Sequence, residues 1–242
     1  MTSFHRPLAA LILSTQLIGV GICQAHAGPT APDVVLVKNG QGTAVPSANP
    51  DVSLAAGAEI FENLTESSPE LNAPAFDDSM TKYETLRSNI SAQLAPDQMK
   101  RLDALLANVR KSWQKRDRGS MAIQSIEIYR LLQESIDHTN QPVPAEVPLL
   151  DYAGFKIKAL LISKHTDWEQ IRKTAHEATL WWASTKPKVT DSSLRDAMDH
   201  TVMGINDAAR LKDTRLLKFS AEMDLILVDG LETFFNSHLQ NH

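Results

Sequence analysis

The sequence predicts an all-α protein, on three observations. From Asp77 onward only Gly119, Gly154, Gly204 and Gly230 interrupt 166 residues, so chain breakers are sparse. Apolar residues recur at spacings of three and four. Leu102, Leu105, Leu106 and Val109 form one such stripe, and Ile123, Ile126, Leu131 and Leu132 lie on another. No stretch alternates with a period of two, the pattern of a half-buried strand. The expected helices cover 79–93, 96–115, 120–138, 148–164, 168–185, 191–210 and 214–237. They pair as about three antiparallel hairpins, packed as a bundle or a short solenoid.

Each element follows from local chemistry. Residues 1–27 read as an export leader. Arg6 supplies the charged n-region, an apolar run of about 15 residues follows from Leu8 to Ile22, and Ala25-His26-Ala27 offers small residues at the cleavage site. That run is short of the ~20 residues of a membrane span. Cys23 follows Ile22 rather than a small residue, which argues against a lipoprotein. Its removal with the leader leaves a mature chain with neither a disulfide nor a thiol nucleophile. The expected address is the periplasm, with secretion as the alternative, and no membrane span should remain after cleavage.

Residues 28–76 hold six of the twelve prolines and carry six acids against Lys38 alone, a net charge of −5. This composition reads as a linker or loosely held, largely disordered arm. Its structured candidates are a brief strand at Val34–Val37 and one or two helical turns at Leu54–Leu64. Residues 77–242 form the helical domain. Pro96 and Pro148 suit first helical turns. Asp77, Asp167, Asp191 and Asp213 are candidate N-caps, with Gln170 placed as a capping-box partner of Asp167.

Three turn regions look alike, around Asp117, Asp167 and Asp213, at separations of 50 and 46 residues. In each, basic residues end one helix and an aspartate opens the next, so both ends complement the helix dipole. Any short antiparallel connection selects this chemistry, so the likeness alone does not establish duplication. The stretches EVPLLDYAGF, the DW…WW helix and DLILVDGLETFF together resemble uncharacterised exported bacterial proteins made of helical hairpins. That resemblance implies the fold and the compartment and carries no activity. The hairpins are faintly similar to tetratricopeptide repeats, but the period is longer and the small-residue signature poorer.

The whole chain has a net charge of −5, against the basic excess of a nucleic-acid binder. Motifs for a nucleophile elbow, a zinc protease or a phosphate loop are absent, so an enzyme is not expected and no cofactor is implied. The expected function is a non-enzymatic binding or adaptor module whose partner is another periplasmic or envelope protein. The alternative is a small-ligand or copper-type metal protein with its site inside the bundle.

Candidate sites follow from residues that sit awkwardly in an apolar pattern. The last long helix is apolar nearly all round, the mark of a central helix. Asp224 and Asp229 interrupt it, turned about 140° apart at 100° per residue. With Tyr129, Arg130, Asp151 and Tyr152 they could line a polar ligand pocket, or pair internally and fix the register of the bundle. Met198, His200 and Met203, with His176 on the preceding helix, offer thioether and imidazole ligands of the type Cu(I) favours. Methionines at helical spacing equally suit a core. Of three tryptophans on one helix, Trp168 and Trp182 share a face and Trp181 is turned away. Either Trp181 or Trp182 could be an exposed anchor for a partner. The basic run Arg110, Lys111, Lys115, Arg116 and Arg118 is explained by dipole compensation.

Overall fold

The computed structural model describes residues 50–238, which lie within one of the two units into which the chain divides between Ala44 and Val45. The expected leader at 1–27, the strand expected at Val34–Val37 and the first part of the expected arm lie outside the described residues. Leu54, Ala58, Phe61 and Leu64 repeat at four and three and are all buried. They make Pro50–Glu66 a 17-residue helix, α1. The reading of 28–76 as one loose arm is corrected here: its second half is core. Pro50 belongs at the helix start, where a missing N–H costs nothing.

Helix α2 runs Ala73–Ser91 and begins earlier than expected. The Asn72 side chain, not Asp77, caps it, accepting from the Ala75 N–H at 3.0 Å. Then follow α3 (Pro96–Gln114), α4 (Arg118–Gln133), α5 (Glu146–Ile162), α6 (Trp168–Thr185), a 3₁₀ turn at Lys186–Lys188, α7 (Ser192–Leu211) and α8 (Thr214–His238). No strand occurs among the described residues. Asp117, Asp167, Asp191 and Asp213 each accept backbone N–H groups of the next helix's first turn. Gln170 differs from the capping-box expectation: its amide donates to the Asp167 carboxylate at 2.9 Å instead of accepting from backbone.

These eight helices make four hairpins, one more than the pattern predicts, because α1 supplies a partner for α2. They form two four-helix bundles in chain order. In the first, α1 packs on α2 and α4, and α3 on α4. Ion pairs Arg87–Asp103 at 2.8 Å and Arg110–Glu84 at 2.7 Å tie α2 to α3 and close the ring. In the second, each helix packs on the next and α8 returns to α5. One apolar cluster fills the first bundle, around Phe61, Tyr83, Leu102 and Ile126. Two fill the second, around Met198 and Val228 and around Ile157 and Ile205. The α4–α5 contact joins the bundles.

The two bundles are related by a constant offset. Helices α1 to α4 start at residues 50, 73, 96 and 118, and α5 to α8 at 146, 168, 192 and 214, so the offsets are 96, 95, 96 and 96. Burial keeps the same register. Leu54, Phe61 and Leu64 correspond to Leu150, Ile157 and Leu160; Leu102, Leu106 and Val109 correspond to Met198, Val202 and Ile205; all are buried. Arg116 and Lys212, 96 apart, are the non-glycine residues with positive φ among the described residues, each at 56°. Each precedes a capping aspartate whose N–H reaches back five residues: Asp117 to the Ser112 carbonyl at 2.9 Å, Asp213 to the Ala208 carbonyl at 3.0 Å. This is the 6→1 bond of a Schellman stop. A repeat of four helices accounts for the pattern where a repeat of hairpins does not.

Candidate functional site

Four of the six residues expected in a polar pocket meet at the α4–α5 joint. The buried Tyr129 hydroxyl donates to the Pro148 carbonyl at 3.2 Å and to Asp151 Oδ2 at 3.5 Å. Burial and the Asp151 carboxylate hold this phenol well above its ordinary pKa. Tyr152 Oη and Lys156 Nζ both donate to Glu127 Oε1 at 2.8 Å. Arg101 reaches the other Glu127 oxygen at 3.3 Å. Burial pushes the Glu127 carboxyl up, but the Lys156 ammonium and the two hydrogen bonds outweigh it, so its pKa lies below the ordinary value.

Arg130 completes the joint. It bonds Glu134 at 2.7 Å and Glu177 at 3.1 Å. Its guanidinium lies 5.0 Å from the Tyr152 ring centre and 5.3 Å from that of Trp181. The chain's own groups use the donors and acceptors of this cluster, and its chemistry is that of an internal clasp.

Asp224 and Asp229 do not complete the pocket. Asp229 is exposed, and Asp224 is fully buried, as their 140° separation requires. Neither Asp224 oxygen has a hydrogen-bond partner among the described residues. Burial pushes this carboxyl up to about 8; the nearby Gly154 backbone pulls the other way without reaching hydrogen-bond geometry. Asp224 is therefore a neutral acid at neutral pH. By the 96-residue offset it occupies the position of Ile128, also fully buried.

The sulfur and imidazole residues are dispersed. Met198 lies wholly in the second bundle's core, while His176, His200 and Met203 are exposed. Among the described residues no group of three or more His, Cys, Asp or Glu side chains could hold a metal ion. The tryptophans are engaged as well. Trp182 is buried and its Nε1 donates to Asp199 Oδ1 at 2.7 Å, and Lys186 reaches the other Asp199 oxygen, also at 2.7 Å. Trp181 is half-buried against Arg130 and meets Tyr152 edge-on at 6.1 Å. Neither stands out as a free anchor. A shallow groove of about 270 Å³ between α6 and α7 is lined by Arg172, Asn206, Asp207 and Arg210. Arg210 pairs with Asp207 at 3.0 Å, and the Asn206 amide donates to Thr179 Oγ1 and the Val202 carbonyl, both at 2.8 Å.

The surface feature that sequence reasoning did not isolate is on α8. Leu216, Phe219, Met223 and Ile226 recur at three, four and three, a single seam along the helix. Phe219 is 61% exposed, Ile226 60% and Leu216 36%, with Met223 half-buried. The expectation that α8 is central holds for its other faces, which carry Leu217, Ala221, Leu225, Val228 and Leu231 into the core. The seam's spacing was available in the sequence, but neighbouring apolar residues all round the helix concealed it. No helix among the described residues is long and apolar enough to cross a membrane. No family model, curated protein or solved structure matches this chain.

Proposed function

We infer that this chain is a non-enzymatic binding module, an adaptor that docks a protein on the seam of α8 in the bacterial periplasm. The observation that carries this reading is the seam itself. Three large apolar side chains stand in solvent along one helical line, whereas the other exposed large ones, Val52, Ile162, Leu180, Met203 and Leu211, are spread over α1, α5, α6 and α7. An aligned apolar stripe of this kind suits a partner helix, whereas singly scattered apolar residues need no explanation. The interior small-ligand or copper-type alternative has less behind it, because Tyr129, Arg130 and Tyr152 are engaged with one another's elements and Met198 is turned away from His200. The compartment rests on the leader pattern of residues 1–27. Protein recovered from periplasm should begin at Gly28, and an intact Met1 would contradict export with cleavage.

The docking test is photo-cross-linking in the producing cell. A photoreactive residue at Phe219 or Ile226 should give a cross-linked product of discrete mass, and one at the exposed Lys100 of α3 should give none. No product from either seam position would overturn the adaptor reading.

A further inference from the structure

The repeat tells what kind of helix the seam fits. In the first bundle, α4 is covered along one line by the second bundle. Gly119 lies so near Ser163 that a Cβ on it would come within 2.6 Å of the Ser163 Cα. Ile123 packs on the α5–α8 cluster. Glu127 receives Tyr152 and Lys156, and Arg130 lies over Tyr152. Moved on by 96 residues, these positions are Arg215, Phe219, Met223 and Ile226. They are the seam. The face of α4 that the next bundle covers is thus the face of α8 on which Arg215, Phe219 and Ile226 are exposed and Met223 is half-buried.

The other half of the joint has its counterpart too. Helix α5 meets α4 through Pro148, Asp151, Tyr152 and Lys156. Moved back by 96, these are Val52, Ala55, Ala56 and Ile60 on α1. Val52 is 50% exposed, Ala55 is exposed, and Ala56 and Ile60 are half-buried. The chemistry has changed in step on both sides. Where the internal joint pairs Glu127 and Arg130 with Tyr152 and Lys156, the free faces set Met223 and Ile226 against alanine, valine and isoleucine. The two faces are thus both apolar, and Ala55 and Ala56 leave room on α1 for the larger side chains of α8.

Charge agrees with the same placement. The joint is antiparallel, since Gly119 meets Ser163 while Tyr129 meets Pro148. The same arrangement brings Arg215 and Lys218, exposed at the start of α8, to the end of α1, where Glu66 is exposed. Glu59, also exposed, lies along the same helix.

We propose that the partner is a second copy of this chain: α8 of one copy docks on α1 of the next, as α4 docks on α5 within the chain. This rests on the adaptor reading above and names its partner. Such an interface joins two different faces, so copies add head to tail into a ring or an open filament.

Sedimentation of the purified full chain tests it over roughly 1 µM to 1 mM, the range in which weak to moderate association is populated. One variant carries Phe219→Asp with Ile226→Asp, the other Val52→Asp with Ala55→Asp. All four positions are exposed, so circular dichroism and melting should show both variants folded. The wild type should grow with concentration beyond the mass of a dimer. Each variant alone should remain a monomer. Their equimolar mixture should form a dimer and nothing larger, because each supplies the face the other lacks.

A wild type that stays monomeric throughout overturns the proposal, as does an α1-face variant that assembles like the wild type, which would mean α8 pairing with α8. If the wild type is a monomer while the cross-linker at Phe219 captures a different protein, self-docking is refuted and the adaptor reading stands. A cross-link from Phe219 to residues 1–49 of its own chain also refutes self-docking. A monomer with no cross-link removes both.

Discussion

Replacing Asp224 with asparagine should stabilise the protein at neutral pH and remove much of the pH dependence of its stability. The carboxyl lies fully buried on α8, at the position its counterpart Ile128 fills with hydrocarbon, and burial raises its pKa from 3.8 to about 8. Because the folded state holds the proton more tightly than the unfolded state, stability is complete below about pH 4. It then declines as pH rises through the folded value, by about 1.4 kcal/mol per pH unit. At pH 7 about three of the four units of that window have been crossed, so the deficit is about 4 kcal/mol. Asparagine keeps the shape and polarity but cannot ionise. Urea unfolding of both proteins from roughly pH 4 to 9 should therefore show no difference at the acid end. At pH 7 the variant should lead by about 4 kcal/mol, or several degrees in melting temperature. A difference that does not change with pH would refute the reasoning by showing a carboxyl whose pKa folding leaves unshifted, and a variant less stable than wild type at pH 7 would refute it by showing a carboxylate ionised and held by a partner.

Three further outcomes follow from the same geometry. Lys156→Met should cost about 3–5 kcal/mol, since it leaves Glu127 charged in the joint with less compensation; adding Glu127→Leu should recover much of this, measured by urea unfolding of both variants. The carboxyl of Glu127 has a lowered pKa, so the loss should be full above its unfolded value and should fade as pH drops through the folded one. Gly119→Ala should destabilise by about 2 kcal/mol, because the added carbon meets backbone at 2.6 Å from Ser163 Cα and the two helices must move apart; thermal melts would read it. Lys212→Gly should stabilise by about 0.5–1 kcal/mol, relieving a left-handed residue at a helix stop, with a small rise in melting temperature.

Much of the helical layout was written in local chemistry. Seven helices follow from three–four spacing, and the aspartates at 117, 167, 191 and 213 cap the helices they precede. Helix α1 is longer than the one or two turns expected at Leu54–Leu64 because Pro46, Pro50 and scattered acids resemble a linker, although Leu54, Ala58, Phe61 and Leu64 carry a helical stripe. The duplication was half visible. Asp117 and Asp213 are true counterparts, but Asp167 answers to Asn72, and grouping the three aspartates divided a 96-residue repeat into two shorter intervals. Helical angles separated Asp224 from Asp229 correctly. They could not separate an apolar side chain facing a core from one facing a partner, since both obey the same periodicity. That ambiguity concealed the seam, and it placed Trp181 and Trp182 among the anchors when both pack within the second bundle or at its joint.

The central claim is that the exposed seam face of α8 repeats a joint the chain already makes. Mapping the cross-link from Phe219 tests it most directly. A photoreactive residue there, followed by mass spectrometry of the joined peptides, should find α1 of a neighbouring copy, between Val52 and Asn63. Mixing isotopically light and heavy protein should show the bond to be intermolecular. Cross-links to α8 of the neighbour, to another segment of the same molecule or to a different protein would contradict the head-to-tail account.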